Sequence, residues 1–350
     1  MSNQPPVPDL SPSSAEWVPP GKRVRWGIIG CGLIASHAVA PAIRWSKLSV
    51  LHRVGSRNRD RARLLANDLG AEGYCGSYEE LLADPDIDVV YIGLPNGLHE
   101  EWAIRAFEAG KHVLCEKSLS LSLDSTQRIA AAAEKAGLRL MEAYMYRHHP
   151  QWDRVRDIVT SGRIGEIRSL RIGLAGLLRD TGDHRWNRVL GGGALYDLTC
   201  YGINAARFLF RREPIKVCAM ADLTMEEQVD RTSKALLDFG DGRLATVMGS
   251  FVLSNHQYCD IEGTDGRIRV EHPFIPGWEQ TGIVVEAGIE AQRIVIGGAN
   301  HFLHQVEHVS LCVLDPSRTL LPGENGIAQA KANQATEEAF RTGRTVAVPK

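Results

Sequence analysis

No two cysteines in this chain stand within a CxxC spacing, and the seven that occur, at positions 31, 75, 115, 200, 218, 259 and 312, are scattered singly. The spacing excludes a zinc ribbon or a CxxC redox pair, and the odd count excludes a closed disulfide framework, so reduced core thiols in a cytoplasmic protein are the expectation. No apolar run approaches the ~20 residues that a helix needs to cross a bilayer. Blocks of like charge are also missing: 40 Lys and Arg against 42 Asp and Glu leave a formal net charge of -2, which gives no electrostatic reason to expect nucleic acid or a membrane as partner. Neither a GxSxG elbow nor a Walker loop is present. His301, His304 and His308 fall on one helical stripe and His148-His149 are adjacent, but the HExxH order is absent; the stripe reads as packing or a solvated face, and no metal is expected.

The first twenty residues, "MSNQPPVPDLSPSSAEWVPP", are rich in Pro and Ser. They lack the basic and apolar regions of a secretory signal. A loose tail is one reading, and an ordered Pro-rich arm anchored by Trp17 is the other.

What is present fills two domains, since 350 residues with 44% hydrophobic content exceed one usual core. From Val24 to Ala143 short β-branched runs ("VRWGIIG", "LSVLHRVGS", "DVVYIGLP", "HVLCEKS", "LRLMEAY") alternate with helical periodicity. That is the pattern of a doubly wound parallel sheet. After a helix closed by Gly162 the rhythm changes to strand-like runs from "IRSLRIGLA" to "QRIVIG", several separated by Asp-Gly turns, which indicates a largely antiparallel sheet. The expected fold class is therefore α/β: a Pro-rich arm over residues 1 to 21, a Rossmann domain over 22 to 143, and an α+β domain with a large open sheet over 144 to 350.

The strand, glycine turn and helix of "VRWGIIGCGLIASHAVAPAI" put Gly30 and Gly32 in the first two places of the dinucleotide fingerprint and Ala35 in the third, with Leu33 and Ile34 as further candidate cofactor contacts. At the end of the second strand, "HRVGSRNRDRAR" has no acid for a ribose hydroxyl. Ser56 and Arg57, with Arg61 or a solvated arginine face beyond them, point to the 2'-phosphate of NADP. Leu94, Pro95, Asn96 and His99 follow the next strand and Glu116 and Lys117 the one after, at the edge where open α/β sheets bind ligands; a plain loop and a surface lysine are the competing readings. A lysine shielded there beside nicotinamide is expected to favour its neutral form. Further along, "GGGALYDLTCYGIN" reads as a glycine turn and a helix with Asp197, Tyr201 and Asn204 on one face, able to grip a polyhydroxylated substrate. The alternative is a buried tyrosine hydrogen-bonded to the aspartate.

With these residues assembled, the chain resembles the Gfo/Idh/MocA oxidoreductases over residues 22 to 350. The stretches that carry the likeness are "GIIGCGLIA", "DVVYIGLPNGLHEEWAIRAFEAGKHVLCEKS", "LMEAYMYRHHPQ", "IGEIRSLRI" and "GGGALYDLTCYGINAARFLF". Within that family it is most similar to the subgroup of glucose-fructose oxidoreductase, dimeric dihydrodiol dehydrogenase and NADP-dependent xylose dehydrogenase. The resemblance implies that Lys117 contacts nicotinamide and substrate, that Tyr201 is the acid/base residue, that Asp197 supports substrate hydroxyls, and that Arg147 and Trp186 lie on the substrate and cofactor sides. It also implies a homodimer or homotetramer formed through the C-terminal sheet, and an arm like the one that helps glucose-fructose oxidoreductase retain its NADP. Ser118 departs from the family pattern, standing where relatives carry the proline of an EKP motif. Without proline, a trans peptide is expected between Lys117 and Ser118.

The expected activity is NADP-dependent oxidation of an aldose at C1 to the lactone, with NADP(H) either exchanging or staying bound and being recycled by a second sugar. Alternatives are a ketoreductase of a nucleotide-linked sugar, a trans-dihydrodiol dehydrogenase, and a non-catalytic NADP-binding regulator.

Overall fold

The computed structural model of the protein describes residues 21–320 and 326–350; the expected N-terminal arm, apart from Gly21, lies outside the described residues. Six short strands form the first sheet: β1 (Val24–Ile29), β2 (Ser49–Gly55), β3 (Gly73–Cys75), β4 (Val89–Ile92), β5 (His112–Glu116) and β6 (Leu140–Ala143). All pairs are parallel in the order β3-β2-β1-β4-β5-β6, so the winding reverses between β1 and β4. Ligands of such sheets bind at that reversal, beyond the carboxyl ends of the strands.

The crossover helices are α1 (Ala40–Trp45), α2 (Arg59–Leu69), α3 (Tyr78–Leu82), α4 (His99–Glu108) and α5 (Leu123–Ala136). Their boundaries follow from local chemistry. The Asn58, Ser77 and Ser122 side chains each accept from a backbone N–H in the first turn of α2, α3 and α5, and left-handed Gly70 and Gly137 stop α2 and α5. A π-helical turn over Ala35–Val39 precedes α1.

After α6 (Pro150–Thr160) comes a nine-stranded sheet built from β7 (Ile167–Ala175), β8 (Lys216–Leu223), β9 (Asp230–Asp238), β10 (Leu244–Ser250), β11 (His256–Gly263), β12 (Gly266–Val270), β13 (Thr281–Ala287), β14 (Glu290–Ile296) and β15 (Val346–Ala347). Only β7 and β10 run parallel. One face is buried under α7 (Cys200–Phe210) and α9 (Ile327–Thr342), where Leu170, Ile172, Ile203, Val217, Leu237 and Val247 form its core.

One helix of the C-terminal half, α8 (His301–Leu314), packs back on the first sheet. Leu303, Val306 and Val309 share a cluster with Trp26, Ile28, Val39 and Ile43, and the Trp26 indole N–H donates to Ser310 Oγ at 3.2 Å. The opposite face is closed by residues of α3, α4 and α5 with Ile29, Val90 and Val113. No helix among the described residues is long and apolar enough to cross a membrane.

Candidate active site

The turn after β1 shows why glycine is needed at position 30. Its φ is +98°, and a Cβ there would stand 2.6 Å from the Gly93 carbonyl oxygen. At Gly32 the nearest atom to such a Cβ is 3.7 Å away, so that position is open on the protein's own side. Leu33 and Ile34 are exposed beside it and Ala35 is buried. Ser56 is buried at the end of β2, where its Oγ accepts from Asn58 N–H at 3.2 Å, and Arg57 lies beside the Tyr78 phenol. Arg61 reaches back from α2 and donates to the Cys31 carbonyl at 2.7 Å, tying that helix to the glycine turn. A glycine that only glycine can occupy, an open neighbour, and hydroxyl and guanidinium groups at the second strand together fit a dinucleotide.

The loop after β4 is pinned to the second half of the chain. Asn96 Nδ2 donates to Gly191 O at 3.3 Å and Gly97 N–H to Leu190 O at 3.1 Å. Leu94 and Pro95 precede it. His99 sits beneath the cleft surface: it is fully buried, with its ring nitrogens 3.0 Å from Ser118 O and 2.8 Å from Leu94 O, and burial lowers its pKa. Glu116, at the end of β5, accepts from the Tyr91 hydroxyl at 2.8 Å, and burial raises its pKa. Trp186 donates from Nε1 to Asp180 O and packs edge-on against Phe251. Arg147 stacks over Phe208 and lies near Glu142.

Lys117 and Asp197 meet. The ammonium donates to Asp197 Oδ1 at 2.6 Å and to its carbonyl at 2.9 Å. The other carboxylate oxygen accepts from Arg185 Nε at 2.9 Å, and Arg185 is held in turn by Asp183. This overturns the expectation of a neutral lysine. Burial is the strongest influence on Lys117 and opposes its charge, but the Asp197 carboxylate and neighbouring groups outweigh it and hold the ammonium well above its usual pKa. Asp197 moves the opposite way: burial would raise it, yet Lys117 and Arg185 bring it well below the usual carboxylate range.

Tyr201 stands one turn beyond Asp197. Its ring lies under the Lys117 ammonium, 5.1 Å from Nζ to the ring centroid, and its hydroxyl donates to Met145 Sδ at 3.3 Å. Burial pushes the phenol far up, with Lys117 opposing. The helical start that carries both residues is a π-helical turn over Leu195–Thr199 running into α7. Two contacts shape it. Gly193 has φ +122°, and a Cβ there would lie 2.2 Å from Asp230 Oδ1, while Asp230 Oδ2 accepts from Leu195 N–H at 2.7 Å.

Three further points differ from the sequence reading. The Lys117-Ser118 peptide is cis, where a trans bond was expected; its surroundings hold the turn on the Ser118 side, with Ser118 O facing His99, Ser118 Oγ donating to Tyr196 O, and Leu119 N–H donating to Glu142 Oε1. Asn204 does not share the Asp197–Tyr201 surface. It is buried on α7 among core partners, accepting from the Tyr146 hydroxyl at 2.6 Å and donating to Gln329. The Tyr201 hydroxyl bonds sulfur, not the aspartate.

Arg185 and Met145 were missed. Arg185 lies in a single 3-10 turn, His184–Trp186, capped by Asp183 and too short for a periodicity to mark its direction, and Met145 read as an ordinary apolar residue. For metals, one group among the described residues has suitable spacing, His52, Asp84 and Asp86. There His52 and Arg53 already engage Asp84, and Arg25 engages Glu72 next to His52.

Comparison with known proteins agrees with this architecture. Residues 24–144 match the GFO/IDH/MocA oxidoreductase family, NAD-binding Rossmann fold, and residues 152–269 match the GFO/IDH/MocA C-terminal domain. The chain is 39% identical over 250 residues to D-xylose 1-dehydrogenase (NADP(+)) 2 of Haloferax volcanii, covering 71% of this chain and 76% of that one. Among solved structures it is similar to a 3-ketoreductase from Actinomadura kijaniata in complex with NADP and TDP-benzene, with a TM-score of 0.87, 31% identity, and coverage of 91% of this chain and 98% of that one. It is also similar to an aldose-aldose oxidoreductase from Caulobacter crescentus complexed with glycerol, with a TM-score of 0.86, 25% identity, and coverage of 93% and 100%. The parallel sheet with its glycine turn, the open nine-stranded sheet, and the matches to both domains make this chain an oxidoreductase of the Gfo/Idh/MocA family, with an NAD(P)-binding Rossmann domain.

Proposed function

We propose that the protein is an NADP-dependent sugar oxidoreductase that oxidises a free aldose at C1 to the lactone. The observation that carries the reading is the Lys117–Asp197 ion pair at 2.6 Å, set over the Tyr201 ring at the carboxyl edge of the first sheet. NADP is preferred because β2 ends in Gly55, Ser56 and Arg57 without an acid, with Arg61 already reaching the glycine turn. Leu33, Ile34, Leu94, Pro95, Asn96, Glu116 and Trp186 complete the proposed cofactor surface.

Oxidation at C1 breaks two bonds: C1–H, whose electron pair leaves as hydride, and O–H, whose proton the chain must receive. A nicotinamide bound on the Rossmann domain supplies the hydride acceptor. Lys117, held charged by Asp197, donates a hydrogen bond to the C1 oxygen and stabilises the negative charge developing there. Tyr201 takes that proton as the phenolate: its hydroxyl turns from Met145 toward the substrate and first gives its own proton to solvent, the Lys117 ammonium favouring the charged form, and the phenolate oxygen then accepts the C1 hydroxyl proton. Asp197 fixes the ammonium and faces the neighbouring sugar hydroxyls. Arg147, on the 3-10 turn Met145–His148 and stacked over Phe208, is the proposed contact for the far end of the sugar.

A second reading has its own observation. Because burial keeps the Tyr201 phenol protonated, the site is set to give a proton, which suits reduction of a keto group; the A. kijaniata 3-ketoreductase, similar over nearly the whole chain, points the same way toward a nucleotide-linked keto sugar.

The test is reduced-nicotinamide absorbance of the purified protein with NADP+ and glucose or xylose, and with NADPH and a nucleotide-linked 3-keto sugar. Lactone formation is expected, and Tyr201→Phe is expected to lower kcat by roughly 10²–10⁴-fold. Turnover of the keto sugar alone would replace the first reading by the second, and a Tyr201→Phe variant as fast as the parent would sink both.

A further inference from the structure

The residue after Lys117 is a serine, and its hydroxyl is fully engaged. Ser118 is 1% exposed. Its Oγ donates to Tyr196 O at 3.1 Å and accepts from Asn333 Nδ2 at 3.4 Å. Tyr196 immediately precedes Asp197, so this one hydroxyl joins the residue after the lysine to the residue before its carboxylate partner.

The second arm closes a loop. Asn333 Oδ1 accepts from Gln329 Nε2 at 2.9 Å, and the same amide nitrogen donates to Cys200 O at 3.2 Å, on the residue before Tyr201. Ser118 therefore touches, directly or through two α9 side chains, the backbone on the near side of both Asp197 and Tyr201. The strand that delivers Lys117 belongs to the first sheet and the helix that delivers the other two belongs to the second. Beside it, Lys117 Nζ donating to Asp197 O and Oδ1 and the Tyr196 hydroxyl donating to Leu121 O join the same two segments. A side chain without a hydroxyl at position 118 would leave Asn333 Nδ2, deep in the protein, without this acceptor, and buried polar groups of that kind cost about 1–3 kcal/mol when orphaned.

We propose that Ser118 is a positioning residue that acts through Lys117: with Asn333 it sets the register between the Lys117 turn and the helix bearing Asp197 and Tyr201. This rests on the assignment of those three residues to the chemistry. The hydroxyl, rather than the ring of a proline, holds the turn in this chain, which gives the departure at position 118 a specific use.

The experiment uses the full chain and whichever aldose or nucleotide-linked keto sugar the parent turns over. Ser118→Ala is expected to lower kcat roughly tenfold with KM for the nicotinamide cofactor unchanged. Ser118→Thr, which keeps the hydroxyl, is expected to restore most of kcat. Asn333→Ala is expected to lower kcat as well, and the Ser118→Ala/Asn333→Ala pair to be no worse than the more damaged single variant, since coupled residues are non-additive. Unchanged kcat in Ser118→Ala, a Thr variant as slow as the Ala variant, or additive losses would overturn the inference. Lys117→Met, assayed beside them, separates the two levels. If Lys117→Met is inactive while Ser118→Ala is fully active, only the positioning role falls. If Lys117→Met is as fast as the parent, the assigned chemistry falls and the positioning role with it.

Discussion

Lys117 works here as a permanent cation. Its pKa is held up and that of Asp197 is held down, so the pair stays ionised across the pH range in which the enzyme is assayed. A limb near neutrality in the pH–rate profile must come from elsewhere, and two buried carboxyls are placed for it: Glu142, which burial pushes up to about 7, and Asp230, which burial pushes up to about 7. Both accept from backbone N–H groups of the segments carrying the site residues. Arg185 is the other lever at this scale. Because it occupies one Asp197 oxygen, Arg185→Gln is expected to leave the carboxylate wholly to Lys117 and to cut kcat by roughly tenfold, with little effect on cofactor KM; steady-state kinetics would show it. That Lys117 and Asp197 share one site was legible through the family resemblance; the strand end and the helical face alone gave each its place but not their meeting. Asn204 was not, because helical spacing gives the face of a residue and not its depth. Arg185 was not, because a single 3-10 turn is too short to show a period.

At the scale of elements, strands and helices were legible where they are long and patterned. The apolar runs from "IRSLRIGLA" to "QRIVIG" are strands of the second sheet, and β8, β9 and β12 show the period-two burial of a sheet covered on one side. The three-residue β3 and two-residue β15 are too short to carry a pattern. The two π-helical turns were also invisible, because such turns are set by neighbours: at Leu195–Thr199, Asp230 takes the Leu195 N–H from outside the helix. That contact makes a sharp prediction. Gly193→Ala puts a Cβ at φ +122°, 2.2 Å from Asp230 Oδ1, so a loss of about 1–3 kcal/mol or more is expected in urea unfolding. Catalysis is expected to suffer with it, since the displaced turn carries Asp197. A variant as stable as the parent would mean that the turn is not held as described.

For the whole molecule, buried histidines and buried acids pull stability in opposite directions with pH. Burial lowers His301 to about 3 and His149 to about 4, and lowers His148 and His304 as well. Their unfolded forms titrate near 6.5, so below that value the unfolded chain binds more protons and stability falls as pH drops toward 4. Glu142 and Asp230 are raised, so the folded chain binds more protons between about 4 and 7, and their contribution falls as pH rises through that window. With His99, His112 and His184 also lowered and Glu116 and Glu307 also raised, seven histidines stand against four acids, and the melting temperature is expected to climb from pH 4 to about 6.5 and then level or dip by pH 7.5. His301→Gln should flatten the acid side of that curve; an unchanged slope would show that this ring is not buried neutral. The two-domain layout was legible from the change of rhythm near residue 144, but the return of α8 was not, since its apolar stripe fits any face and only packing shows which one it covers.

That return bears on how the protein is made. The ribosome releases β1 to β6 long before it reaches Leu303, Val306 and Val309, which close one face of their sheet, and before Ser310, which receives the Trp26 indole. At ~5–20 residues per second the wait is on the order of ten seconds or more. Over that interval the nascent first domain carries an uncovered apolar groove beside its glycine turn, and its maturation is tied to the last stretch of translation.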